Sequence, residues 1–147
     1  MNVVQYKRRL QSFNVESNIE KAVKESSEEI VNLNKVSLDK GLSYEDKVVG
    51  RYSAFTAAWA KKLKPNKPKI LGTLYNFDWT GSFINGIFIT YENYKIKFRS
   101  IGMGGAKKTR FIKENKLLGL SNVKGNIINE VILTPILRRY FKSHIDK

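Results

Sequence analysis

The chain contains no cysteine in its 147 residues, which excludes a disulfide scaffold, a thiolate metal site and a thiol nucleophile, and fits assembly in a reducing cytoplasm. It has a single histidine, His144, so a histidine-based general base or a histidine metal cluster is excluded as well. Position 144 reads as part of a frayed tail. Long hydrophobic runs are missing: no stretch approaches the ~18 uninterrupted apolar residues of a membrane span. The first residues, Met1-Asn2-Val3-Val4-Gln5-Tyr6-Lys7, hold no apolar run of signal-peptide length. Acidic residues are scarce, 13 against 27 Lys plus Arg, for a net charge of +14. Those nearest the basic centre, Asp78, Glu92 and Glu114, are scattered, and Asp78 is expected to cap or bond the turn at Thr80-Gly81 rather than bind Mg²⁺. The expectation is a protein that is not an enzyme and carries no cofactor and no metal.

What is present is enough for one core. With 41% hydrophobic and 12% aromatic residues, a chain of this length builds a single modest domain. The charge is uneven. Residues 1–46 hold 7 Lys plus Arg against 8 Asp plus Glu, residues 47–116 hold 15 against 3, and residues 117–147 hold 5 against 2. A basic centre of this kind gains most from a polyanion or from an acidic neighbouring subunit that neutralises it.

Residues 1–16 read as an N-terminal arm, with Lys7-Arg8-Arg9 between Tyr6, Leu10 and Phe13, and residues 17–147 as one α+β domain. Ser17 with Glu20 three residues on fits a capping box, and Ile19, Ala22, Val23, Ile30 and Leu33 recur at helical spacing, predicting an amphipathic helix to about Asn34. Residues 35–52 read as irregular. Ser53 can cap a second helix over Ala54 to Lys64, with Phe55 and Trp59 on one face and Pro65 and Pro68 stopping it. Lys61, Lys62, Lys64, Lys67 and Lys69 crowd an expected exposed turn that is either a polyanion contact or a solvated loop.

Gly86 to Tyr91 is β-branched and aromatic, Glu92-Asn93 supplies a turn, and Tyr94 to Arg99 alternates apolar with cationic residues. The pattern predicts an antiparallel hairpin over about 86–100 with Tyr94, Ile96 and Phe98 inward and Lys95, Lys97 and Arg99 in a cationic row, roughly 7 Å apart at strand rise. Such a row meets phosphates or carboxylates, or is the ordinary wet face of a sheet. The segment Ile101 to Arg110, with Lys107, Lys108 and Arg110, is Gly-rich but lacks P-loop spacing, since Ala106 precedes Lys107. It reads as a flexible loop, followed by a short helical turn over 111–115 and an apolar plug at Leu117-Leu118-Gly119-Leu120. A long amphipathic helix closes the chain from about Ser121 to Ser143, its apolar face wider than a surface helix needs. Ile132, Ile136 and Tyr140 on it are candidates for a subunit interface, and Pro135 is expected to bend or interrupt it.

Two motifs add to this reading. Asp78-Trp79-Thr80-Gly81-Ser82-Phe83 precedes the hairpin, and Leu118-Gly119-Leu120-Ser121 precedes the last helix, with Gly50-Arg51-Tyr52-Ser53 upstream of both. In this order the chain resembles, over about residues 35–141, the head-to-tail connector or tail-completion proteins of tailed bacteriophages. The resemblance implies a structural virion protein of the neck or tail region, assembled in the host cytoplasm. It implies a ring oligomer whose partners are further copies, portal, neck or tail proteins, and genomic DNA in the channel. The alternative from charge alone is a basic nucleic-acid-binding protein with Tyr91, Tyr94 or Trp59 as stacking platforms.

Overall fold

The computed structural model of the chain describes residues 2–102 and 105–146. The fold is α+β, with helices before and after one two-stranded antiparallel sheet. The expected N-terminal arm is helical. Helix α1 spans Val3–Ser12, and α2, Val15–Glu25, begins before residue 17 because Asn14 Oδ1 accepts from the Ser17 amide at 2.9 Å, putting Ser17 inside the first turn. The long helix expected to Asn34 is divided at Ser26, whose buried hydroxyl donates to the Ala22 carbonyl at 2.6 Å. Helix α3, Ser27–Asp39, then runs five residues beyond the expected end.

Helix α4 is Ala54–Leu63, capped by Ser53 and ended by left-handed Lys64 before Pro65. A single turn, α5 (Ser82–Asn85), leads into β1 (Ile87–Glu92) and β2 (Lys95–Ser100). Asn93 and Tyr94 both have positive φ, as a two-residue type I′ turn requires. Tyr94 is therefore in the turn, 71% exposed, and not on the inward face expected for it. Ile89 opposes Phe98 and Tyr91 opposes Ile96 on the core face, while Thr90 opposes Lys97 on the other.

The Gly-rich segment is more ordered than expected: Gly105 caps α6, Ala106–Glu114, which absorbs the predicted turn at 111–115, while Met103 and Gly104 lie outside the described residues. The last helix is continuous over 24 residues, as α7 (Asn122–Ile127), a π-helical turn (Ile128–Leu133) and α8 (Thr134–Ile145). Pro135 does not interrupt it. The wider turn ahead of the proline carries the ring, with the Thr134 amide and hydroxyl both directed to the Asn129 carbonyl.

Two apolar clusters form the core. Val31, Leu38, Phe83, Ile84, Ile87, Ile112 and Leu117 make one; Ala22, Val23, Ile30, Ile128 and Leu133 make the other. Ile89 and Phe98 of the hairpin touch both, so the small sheet is the seam. The two motifs sit at this seam. Phe83 and Ile84 enter the first cluster, and Leu118 and Leu120 pack on the first and second respectively. Gly119 between them has φ +153°, and a Cβ there would stand 2.9 Å from the Tyr44 ring. The segment can cross from one cluster to the other only with glycine at that point. Ser121 Oγ then caps α7.

The ends of the chain are joined. Arg9 donates to the Ile145 carbonyl, and the Phe13 and Phe141 rings meet edge-on at 5.2 Å. His144 is not frayed: it lies inside α8, half-buried, with Nε2 2.9 Å from the Arg9 carbonyl. A carbonyl only accepts, so Nε2 carries the proton.

Ion pairs tie the outer helices to the body. The Tyr140 hydroxyl and Arg139 hold Glu25 below the usual carboxylate range, Lys116 does the same for Glu45, and Lys124 for Asp46. Lowered folded-state values mean that their stabilisation is complete above the ordinary carboxylate pKa and is lost as pH falls through the lowered values. The melting temperature is expected to fall on acidification from pH 5 to pH 3, and to fall less in a Glu25→Gln/Asp46→Asn variant; identical profiles would exclude these pairs as its source.

Candidate assembly surfaces

Helix α4 is turned inside out relative to an ordinary surface helix. Its spacing puts Phe55, Trp59 and Leu63 on one stripe, and that stripe faces solvent, at 72%, 50% and 52% exposure. The inward side carries Thr56, Ala57 and Ala60, of which Ala60 is buried. The Phe55 and Trp59 centroids are 6.2 Å apart. Exposed Ile70 and Leu71 stand in the neighbouring loop, which is tied back to the start of α4 where the Gly72 amide donates to the Tyr52 carbonyl at 2.9 Å. Large apolar groups gathered in the open mark a contact surface. The sequence showed the stripe but not which way it pointed.

The loop that anchors α4 holds the largest departure from expectation. Lys69, grouped by sequence with the exposed lysines, is 5% exposed. Its ammonium donates to Asn76 Oδ1 and, at 2.8 Å, to the Asp78 carbonyl, and it lies 5.4 and 5.8 Å from the centroids of the Tyr52 and Trp79 rings. Asn76 Oδ1 also accepts from the Tyr52 hydroxyl at 3.1 Å. Burial pushes the Lys69 ammonium below its ordinary pKa and the Tyr52 phenol above its own. Lys69 is a structural strut and cannot meet a polyanion. Asp78 is part of the same cluster: its carboxylate accepts from Asn66 at 3.3 Å, while the Thr80 and Ser82 hydroxyls bond each other across the turn that Asp78 was expected to cap.

The remaining cations divide into paired and unpaired. Lys67 is bonded to Asp39 at 2.8 Å, Lys97 and Arg99 share Glu92, and Arg110 reaches Glu114 at 2.6 Å. Lys108 donates to the Gly102 carbonyl at 2.7 Å. Among the described residues, Lys61, Lys62, Lys64, Lys95 and Lys107 have no ion-pair partner. The cationic row of β2 is thus half neutralised by Glu92, on the strand before it. A cleft not foreseen lies beside Arg99, walled by Lys113, Lys116 and Tyr44. Lys113 follows Arg110 by one helical turn, which is the signal that could have pointed to it.

The proposed interface residues Ile132, Ile136 and Tyr140 are spent on the protein's own core. All three are half-buried against the second cluster, since α8 packs on α2 with that face. The exposed apolar positions of the last helix are Val123, Ile127 and Val131 instead, at four-residue spacing. Of the stacking platforms, Trp59 and Tyr94 are exposed, the latter donating to Glu16 at 3.1 Å, while Tyr91 is half-buried.

An apolar groove of about 600 Å³ opens between α2, the hairpin and the last helix, with Ile19, Val23, Tyr91, Ile96, Leu120 and Leu137 on its walls. Among the described residues no cluster of three or more His, Asp or Glu side chains suits a metal ion, and no helix is long and apolar enough to cross a membrane. Comparison of the chain with protein-family models, curated proteins and solved structures gave no match.

Proposed function

We propose that the protein is a structural subunit of a tailed-bacteriophage particle, part of the head–tail connector, neck or tail-completion ring, acting by self-association and by binding neighbouring virion proteins. The observation that carries this reading is α4, which gives its small side chains to the body of the protein and its aromatic ones to solvent. A helix so arranged is stabilised by a neighbour that covers it. The unpaired Lys61, Lys62 and Lys64 at its end add a charged rim, suited to an acidic protein surface or to DNA.

Locating the tagged protein in purified particles by electron microscopy tests the reading directly. Density at the neck or tail axis is the expected result; absence from mature particles and from assembly intermediates refutes it. A Lys61→Gln/Lys62→Gln/Lys64→Gln variant is expected to join heads to tails less efficiently, or to retain less DNA. Lys67 and Lys69 are omitted from it because one is ion-paired and the other buried. Tight binding of naked DNA by the isolated protein, with a log–log salt slope of about −0.9 per neutralised phosphate, would favour the nucleic-acid-binding alternative.

A further inference from the structure

Helix α4 and the apolar groove are complementary in shape, polarity and charge, and they belong to different parts of the surface. No residue of α4 lines the groove. We propose that α4 of one copy of this chain docks in the groove of the next, so that copies join head to tail; this rests on the assembly reading above and names the surfaces it would use.

Three observations support the pairing. The stripe of Phe55, Trp59 and Leu63 projects three large apolar groups from one side of a helix capped by Ser53 and closed before Pro65, so it is a short, rigid peg. The groove has the volume of sites that enclose compact apolar ligands, and its lining is dominated by aliphatic and aromatic side chains. Gly125 opens its wall on the last helix: a Cβ placed there would meet nothing within 4 Å.

Charge fixes the choice of partner. From Ala54 to Leu63 there is no acidic residue, while Lys61 and Lys62 in the last turn and Lys64 just beyond it are unpaired among the described residues. The groove offers the opposite sign. Glu16 and Glu20 follow the groove-lining side of α2, Glu16 already holding the Tyr94 hydroxyl at the mouth, and exposed Glu130 adjoins Asn129 on the other wall. An acidic rim around an apolar groove is matched by a basic apolar helix, and this chain supplies one. Because the two surfaces differ, every added copy leaves one peg and one groove open, and the series ends only on closing into a ring.

The test uses two variants of the full chain. Phe55→Ala/Trp59→Ala removes the peg at exposed positions, and Gly125→Phe fills the groove from a position with open space beside it. Sedimentation of the wild type is expected to give concentration-dependent oligomers, and each variant alone should stay monomeric, with self-affinity reduced about 100-fold or more. A one-to-one mixture should form a dimer and go no further, since only one good peg and one good groove remain. A charge exchange keeps the test sharp if a variant folds poorly: Glu16→Lys/Glu20→Lys should weaken association, and mixing with Lys61→Glu/Lys62→Glu should restore it. A monomeric wild type, variants that associate like the wild type, a mixture that grows past the dimer, or Trp59 engaging anionic vesicles in place of a second copy would each overturn the proposal. Oligomers insensitive to both variants would leave the assembly reading standing. Absence from particles would remove that reading without altering the measured contact.

Discussion

Leu117→Ala is expected to lower the unfolding free energy by about 3–5 kcal/mol, at the upper end for leucine truncation because the site cannot collapse. Leu117 is 1% exposed in the first cluster, and its carbonyl accepts from the side chain of buried Asn34 at 2.9 Å. Its own amide donates to the Ile112 carbonyl at 3.1 Å, so the backbone on either side is pinned and cannot move into the void. Against a total stability of about 5–15 kcal/mol, the loss is a large fraction. The denaturant midpoint should shift by a corresponding amount with an unchanged slope. A shift of less than about 1 kcal/mol would show that the cluster relaxes, and that the two halves of the core are more loosely coupled than their packing implies.

Lys69→Ala is expected to cost about 2–4 kcal/mol, from charge-assisted hydrogen bonds, contact with two rings and the loss of the buried stem. The Asp78 carbonyl loses the ammonium donor, whereas Asn76 Oδ1 keeps the Tyr52 hydroxyl. Lys69→Met, which retains most of the stem, should recover part of the loss. The charge itself works against folding at neutral pH, because burial lowers the folded-state pKa from 10.5. The folded state then binds fewer protons than the unfolded one between that lowered value and 10.5, and stability rises with pH across this window. That rise should be missing from Lys69→Met. Trp79 fluorescence, read in a Trp59→Phe background, should report the same change locally. An alanine variant as stable as the wild type would mean that the cluster is not a strut for α4.

The elements whose cause is local were legible in the sequence. Ser53 and Ser121 cap helices where their side chains can reach an amide three residues on, Pro65 follows the end of α4, and β-branched and aromatic residues build the hairpin. What escaped depends on groups distant along the chain. Nothing in a lysine-rich run distinguishes Lys69 from Lys67; the difference is made by Tyr52, Asn76, Asp78 and Trp79, which enclose one and leave the other to Asp39. The division of the first long helix followed from a single buried hydroxyl, Ser26, inside a pattern that is otherwise unbroken. At the candidate surfaces, spacing identified two apolar stripes correctly as stripes. Which of them the core would use was decided by packing: α8 turned Ile132, Ile136 and Tyr140 inward against the second cluster, and α4 turned Phe55 and Trp59 outward.

The clasp between Arg9 and Ile145 spans 136 residues of chain. A ribosome adding about 5–20 residues each second would need about 7–27 s between making the first half of that clasp and the second. Throughout that interval Phe13 has no Phe141 to meet, and the face of α2 that receives α8 is bare. The last dozen residues therefore act as a completion signal during synthesis: a nascent or prematurely stopped chain exposes its first helices and is open to chaperones and proteases, and only a finished one withdraws them.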